Sequence, residues 1–207
     1  ENEIRSVAPM VYYHVWDNYP APQFNRVWYE SNDVVVAISK VTKEVVSKVA
    51  KDVEQHYLPH AVNTEIFSKY PPEHVEKFKG ESFQDEDKLT FFWNNRNARR
   101  KQSGSLIWWF KEYLDIVGHD KARLIMHTDP KDPHGQDLTT LMVTLGLING
   151  EVMISKEKLH PKHLAMMYNM ADCTINISDA EGFGLATFES LSCETPIIVN
   201  MTGGLQE

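Results

Sequence analysis

The sequence predicts an α/β fold built on doubly wound parallel sheets, and three observations carry the prediction. β-rich runs alternate with helix-patterned segments along most of the chain, the order that generates parallel strands with helical crossovers. Several strand candidates are unbroken apolar runs rather than strict alternations, as expected where helices cover both faces of a sheet. The 207 residues are 42% hydrophobic and 24% charged, a balance that supports a sizeable core.

The elements follow in order. Strands are expected at Met10–Val15, Val34–Ile38 and His56–Pro59, with helices at Phe24–Glu30 and Val41–Val49 between them. Three strands are too few for a doubly wound lobe of their own. Phe67 to Lys88 then breaks the pattern with Pro71, Pro72, Gly80 and the acidic run Asp85-Glu86-Asp87, and it reads as a solvated connector. The acidic run resembles a metal-binding Asp-x-Asp, but its polar setting favours a solvated loop. Beyond it come strands at Leu89–Asn94, Arg123–His127, Val152–Ile154, Thr174–Ile177 and Pro196–Val199. Helices are expected at Ser103–Ile116, Gln136–Leu147, Pro161–Met170 and Gly184–Cys193. The division is a partial front lobe at 1–66, a connector at 67–88 and a Rossmann-like lobe at 89–207.

Charge narrows the function. With 21 basic and 29 acidic side chains the net charge is −8, which disfavours general binding to nucleic acid or to a membrane surface. An anionic ligand would need a local basic pocket. No run approaches ~18 consecutive apolar residues. Cys173 and Cys193 are the only cysteines, so a zinc site or disulfide scaffold is disfavoured and a reducing compartment is expected. The nine histidines lack metal-ligand spacing, and no metal site is expected. Nucleotide-binding Gly-x-Gly-x-x-Gly and P-loop patterns are missing, as are His-Glu-x-x-His and Gly-x-Ser-x-Gly.

Two stretches carry chemistry. Ile177 to Leu185 joins a buried strand to a helix through Glu181-Gly182-Phe183-Gly184, at the sheet edge where α/β folds bind ligands. The glycines allow close backbone approach, and the helix start presents amides and positive dipole to an anion. On that helix Glu189 falls about 40° from Leu185, within an arc shared with Phe188, Leu191, Ser192 and Cys193. An inward carboxylate there is either internally paired or lines a cleft. The second stretch, Asn94 to Lys101, places Arg96, Arg99, Arg100 and Lys101 directly after a strand. Arg99 and Arg100 read as a solvated face, whereas Arg96 and Lys101 flank the turn and suit a diphosphate. The turn-rich loop Asp129–Gly135 either borders a nucleotide base or is an ordinary surface turn. Trp108, Trp109 and Phe110 read as core or lobe packing.

Glu181 and Glu189, within Glu-Gly-Phe-Gly-Leu-x3-Glu, resemble the Glu-x7-Glu signature of retaining glycosyltransferases of GT-B fold, family 4, the "glycosyl transferases group 1". Pro196–Val199 and Thr202–Glu207 resemble the strand and Gly-Gly loop that follow. Arg96 and Lys101 match the family's Gly-Arg-x4-Lys-Gly turn, with Asn95 and Gln102 in place of its glycines. Ala37–Lys40 and Tyr57–Asn63 look like the late N-lobe serine and the interlobe segment, with Ala61 where the family has glycine.

The resemblance implies a nucleotide-sugar-binding C-lobe at 89–207 and the tail of an acceptor-side N-lobe at 1–66, hence a fragment. It assigns Arg96 and Lys101 to the diphosphate, with backbone amides at Phe183, Gly184 and Leu185 and close approach at Gly182. Glu189 would hold the ribose hydroxyls and Glu181 hydroxyls of the transferred sugar. His14 aligns with a family histidine that reaches the donor sugar, and Asp17 is a weaker candidate. The implied reaction is transfer from a nucleotide-diphosphate sugar with retention, without metal or other cofactor. The acceptor class is open between carbohydrate, lipid-linked molecule and protein; nucleic acid is not expected. A cytoplasmic location follows, with peripheral membrane contact if the acceptor is lipid-linked. The alternatives are a glycogen-synthase-like, sucrose-synthase-like or phosphorylase-like GT-B relative, or a non-catalytic GT-B-like interaction subunit.

Overall fold

Every expected strand forms, and all the strand pairs are parallel. The computed structural model describes residues 2–83 and 87–207. Packing divides the chain into two units, the first formed by residues up to Ala61 with 180–184 and 201–207, the second by Val62–Asp179 and Leu185–Asn200.

In the first unit β1 (Val11–His14), β2 (Val34–Ala37) and β3 (Glu54–Tyr57) lie in that order. A short helix, α1 (Asn2–Arg5), precedes them. The first crossover is a 3-10 turn at Gln23–Asn25 running into α2 (Arg26–Glu30), and the second is α3 (Lys40–Val49). Tyr29, Val35, Val46, Val49 and Ala50 form the core. β3 begins two residues earlier than expected because it pairs with all of β2, ending at Ala37 opposite Tyr57; Pro59, without an amide hydrogen, cannot extend the ladder. Ser39 caps α3 by accepting from the Thr42 amide at 3.0 Å. The Glu207 carboxylate accepts from the Lys40 and Val41 amides at the same helix start, where negative charge meets the helix dipole favourably.

In the second unit β4 (Leu89–Asn94), β5 (Ala122–His127), β6 (Val152–Ser155), β7 (Cys173–Asn176) and β8 (Ile197–Val199) lie in the order β6-β5-β4-β7-β8. Its helices are α4 (Pro72–Ser82), α5 (Ser103–Val117), α6 (Leu138–Thr144), α7 (Pro161–Met170) and α8 (Leu185–Ser192). Trp93, Leu124 and Met126 join Ile107, Phe110 and Leu114 of α5 in one core. Their alternates Phe92 and Ile125 join Phe67, Ala165, Tyr168 and Cys193 in another. Both faces of β4 and β5 are therefore covered, which is why these strands read as unbroken apolar runs. From β4 the chain winds outward to β5 and β6, then returns to the other side of β4 as β7. The switch point falls between β4 and β7.

Three expectations change. The stretch 67–88 is more than a solvated connector: α4 occupies its middle and packs Val75 and Phe78 on the core around Phe92 and Tyr168. Pro72 stands in the first turn of α4, where a missing amide costs nothing, so the prolines open a helix there. Of the acidic run, Asp85 and Glu86 lie outside the described residues. On α8 the predicted arc is inward only in part: Leu185, Phe188 and Leu191 are 42%, 42% and 49% exposed, whereas Glu189 is half-buried, Cys193 just past the helix is in the core, and Thr187 and Ser190 are the buried residues of the helix itself. Trp108 and Trp109 are about half exposed, so they are not core residues, whereas Phe110 is.

Candidate functional site

At the switch point of the second unit, β4 delivers Asn94 and the segment after it, and β7 delivers Asn176 and Ser178. The basic stretch folds into a 3-10 turn at Arg99–Lys101, closed by Gln102 in the left-handed region at φ 56°. This is a backbone shape that glycine adopts most easily, and the resemblance puts a family glycine at this position. Gln102 holds it while donating from Nε2 to Asp179 Oδ2 at 2.5 Å and accepting from Ser105 Oγ at 2.8 Å. Lys101 is buried and Arg96 is exposed.

Arg96 is not free. Its Nε donates to Asp132 Oδ2 at 2.6 Å, and its Nη2 donates to Asp132 Oδ1 at 3.2 Å and to His134 Nδ1 at 2.8 Å. This forked contact holds the Asp132 carboxyl well below the usual carboxylate range and raises the guanidinium. The loop Asp129–Gly135 thus has a specific partner in the basic stretch. Asn97, fully buried, ties the two together again: its Nδ2 donates to the Gln136 carbonyl at 2.7 Å, and its Oδ1 accepts from Ser103 Oγ at 2.6 Å. A Cβ on Gly135 would lie 2.1 Å from the Asn97 carbonyl oxygen, so the loop packs backbone to backbone here. Between the two segments runs a cleft of about 440 Å³, bordered by Arg99, Gln102, Ser105, Pro133 and His134.

Helix α8 lies close to β7 through small hydroxyl residues. Asn176 Nδ2 donates to Thr187 Oγ1 at 3.2 Å, and the Thr174 and Ser190 hydroxyls share a hydrogen bond of 2.7 Å. This seating leaves Glu189 half-buried. Tyr168, wholly buried on α7, donates its hydroxyl to Glu189 Oε2 at 2.8 Å, and Asn94 Nδ2 donates to the Tyr168 oxygen at 2.8 Å. Burial raises the Glu189 carboxyl above its usual range, and the Tyr168 bond opposes that. Burial, then the Glu189 charge, push the Tyr168 hydroxyl well up.

In the first unit, Glu181 is 7% exposed, and its carbonyl accepts from the Gly204 amide at 2.8 Å. The Gly203-Gly204 pair has a steric origin. A Cβ on Gly203, which sits at φ 49°, would stand 1.8 Å from the Glu181 carbonyl oxygen, and one on Gly204 would be 2.6 Å from Phe183 Cα. Gly182 faces Val15 at a spacing that a Cβ would cut to 2.3 Å, and Gly184 takes φ 87° immediately before α8. The Phe183 ring meets His60 edge-on, centroids 5.3 Å apart. His14, at the end of β1, is 4% exposed; its Nε2 pairs with the Tyr29 hydroxyl at 2.8 Å, and its Nδ1 has no hydrogen-bond partner among the described residues. Burial lowers its pKa to about 4, so the ring is neutral at pH 7.

Of the residues expected to act, Arg96, Lys101, Leu185 and Glu189 belong to the second unit. His14, Glu181, Gly182, Phe183 and Gly184 belong to the first. Motif reasoning gives no role to Asn94, Tyr168, Asp132 or His134, the residues that hold Glu189 and Arg96. Asn94 lies at the start of the basic stretch, and Asp132 and His134 lie in the loop after a strand, but nothing in the sequence marks Tyr168. Among the described residues, no three His, Cys, Asp or Glu side chains cluster as metal ligands, and no helix is long and apolar enough to cross a membrane.

Comparison with known proteins agrees with this architecture. Residues 111–207 match the family model "Glycosyl transferases group 1". A curated relative, N-acetyl-alpha-D-glucosaminyl L-malate synthase of Bacillus anthracis, is 26% identical over 186 residues, covering 88% of this chain and 45% of that protein. Among solved structures, sucrose-phosphate synthase of Thermosynechococcus elongatus superposes with TM-score 0.74 at 22% identity, over 88% of this chain and 44% of the other. Anabaena HepE in complex with UDP and glucose gives TM-score 0.80 at 15% identity, over 99% and 56%. The chain spans about half the length of the proteins it matches.

Proposed function

We propose, from the match of residues 111–207 to the glycosyl transferases group 1 model and the likeness of the chain to solved structures of GT-B fold, that it carries the donor-binding residues of a glycosyltransferase using a nucleotide-diphosphate sugar. The observation that carries the reading is the switch point of the second unit. Arg96 and Lys101 follow β4, and Glu189 lies on α8, the helix that follows β7; open α/β sheets bind their ligands between two such strand ends. The HepE structure with UDP and glucose supports a uridine nucleotide as the first donor to test.

In this reading Arg96 and Lys101 hold the diphosphate, assisted by amides at Phe183, Gly184 and Leu185, with Gly182 allowing close approach. Glu189 accepts from the ribose hydroxyls and Glu181 from hydroxyls of the transferred sugar. His14, neutral at pH 7 through burial, enters the reading through the resemblance alone, as a hydrogen-bonding group rather than a charge. As the anomeric carbon–oxygen bond breaks, its electron pair passes to the diphosphate and positive charge grows on the sugar. Fixed cations and oriented amides stabilise that leaving group, the task a metal performs elsewhere. The acceptor oxygen then bonds to the anomeric carbon from the leaving-group face, its proton passing to the departing phosphate oxygen, which retains configuration.

Calorimetry with UDP, GDP and ADP tests the reading. Binding of one nucleotide, weakened at least tenfold by Arg96→Ala with Lys101→Ala, supports it. Failure of all three to bind, or undiminished binding in the double variant, contradicts it.

A further inference from the structure

Resting on the assignment of Glu189 to the ribose, we infer that Tyr168, itself held by Asn94, is a positioning residue that sets ribose recognition by fixing the Glu189 carboxylate. The Tyr168 ring cannot move away: it is wholly buried, with Phe92 and Phe67 edge-on at centroid distances of 5.2 and 6.1 Å. Its hydroxyl has one proton and spends it on Glu189 Oε2 at 2.8 Å, while its oxygen accepts from Asn94 Nδ2 at 2.8 Å. The Asn94 donor fixes the direction of that proton, because an oxygen already accepting from Asn94 turns its own hydrogen toward the carboxylate.

The chain therefore runs from the last residue of β4, through a core tyrosine of α7, to a half-buried carboxylate on α8. It links the strand at the switch point to the helix that follows its neighbour β7. A carboxylate has acceptor sites for several donors and the tyrosine occupies one of them. With Oε2 anchored, the group cannot rotate freely, and its remaining acceptor sites keep one orientation toward a pair of ligand hydroxyls. Neither Asn94 nor Tyr168 needs to touch the nucleotide for this. An α8 carboxylate without the anchor would still accept hydrogen bonds, but it would lose orientation on binding and discriminate less.

The test compares ligands rather than absolute affinities. Calorimetry with UDP, GDP and ADP identifies the nucleotide that the wild-type chain binds, and its 2′-deoxy and 3′-deoxy analogues then give the ratio of ribonucleotide to deoxynucleotide affinity. Glu189→Ala should bring that ratio close to one. Tyr168→Phe should lower it by about 3–10-fold while leaving affinity for the deoxy analogues within twofold of wild type, the scale expected for a hydrogen bond whose partner is no longer oriented. A purely structural role for Tyr168 would weaken all ligands alike and leave the ratio unchanged.

An unchanged ratio in Tyr168→Phe, with a collapsed one in Glu189→Ala, overturns the inference and leaves the ribose assignment standing. An unchanged ratio in Glu189→Ala, or no nucleotide bound by the wild type, overturns the assignment and the inference with it. If Tyr168→Phe does not fold, Asn94→Ala decides: a ratio lowered at least threefold supports the chain of contacts, and an unchanged ratio contradicts it.

Discussion

Buried His14 carries a pH signature of its own. Its folded-state pKa of about 4 lies below the ordinary 6.5, so the unfolded chain takes up the proton first. The resulting stabilisation is whole above pH 6.5 and is lost as pH falls from there to 4, by at most about 3 kcal/mol. Urea unfolding of wild type and His14→Gln at pH 7, 5.5 and 4.5 checks this; the difference between the two proteins should shrink with acidity, and a constant difference contradicts it. Arg96 makes a different point. Its match to a family spacing is legible in the sequence, but its tie to Asp132 and His134 is not, because those residues lie 36 and 38 positions away. Asp132→Asn should weaken nucleoside-diphosphate binding by about 3–10-fold by releasing a preorganised guanidinium, measurable in the same calorimeter.

At the scale of elements, strands were the most legible feature. β4 runs over the expected Leu89–Asn94 and α7 over the expected Pro161–Met170, since unbroken apolar runs and a proline-led helix start are local signals. What failed needed tertiary information. Among the described residues, Val75, Phe78 and Phe83 anchor the α4 region, too few apolar residues to outweigh two prolines and a glycine. The inward face of α8 is legible only in part, because the hydroxyls of Thr187 and Ser190 are satisfied by Asn176 and Thr174, partners that no helical wheel displays. The Gly203-Gly204 turn was legible as a motif but not as sterics. Gly203→Ala should destabilise the protein by about 2–4 kcal/mol, because the new Cβ meets backbone that cannot swing aside and the residue sits at positive φ. Thermal unfolding checks it. Gly104→Ala is the control: its Cβ would meet the end of the Gln136 side chain, which can move.

For the whole molecule, the −8 charge disfavours a diffuse anion-binding surface, and the proposed diphosphate site is the local basic turn after β4. Arg96 and Lys101 there would do the work of a metal, so EDTA should leave nucleotide affinity unchanged within twofold; a larger loss, restored by magnesium, would contradict metal independence. The most direct test of the central claim remains calorimetry of UDP, GDP and ADP against wild type and the Arg96→Ala, Lys101→Ala double variant. One nucleotide should bind the wild type, and the double variant should lose at least tenfold in affinity. Equal affinity in the two proteins would contradict it.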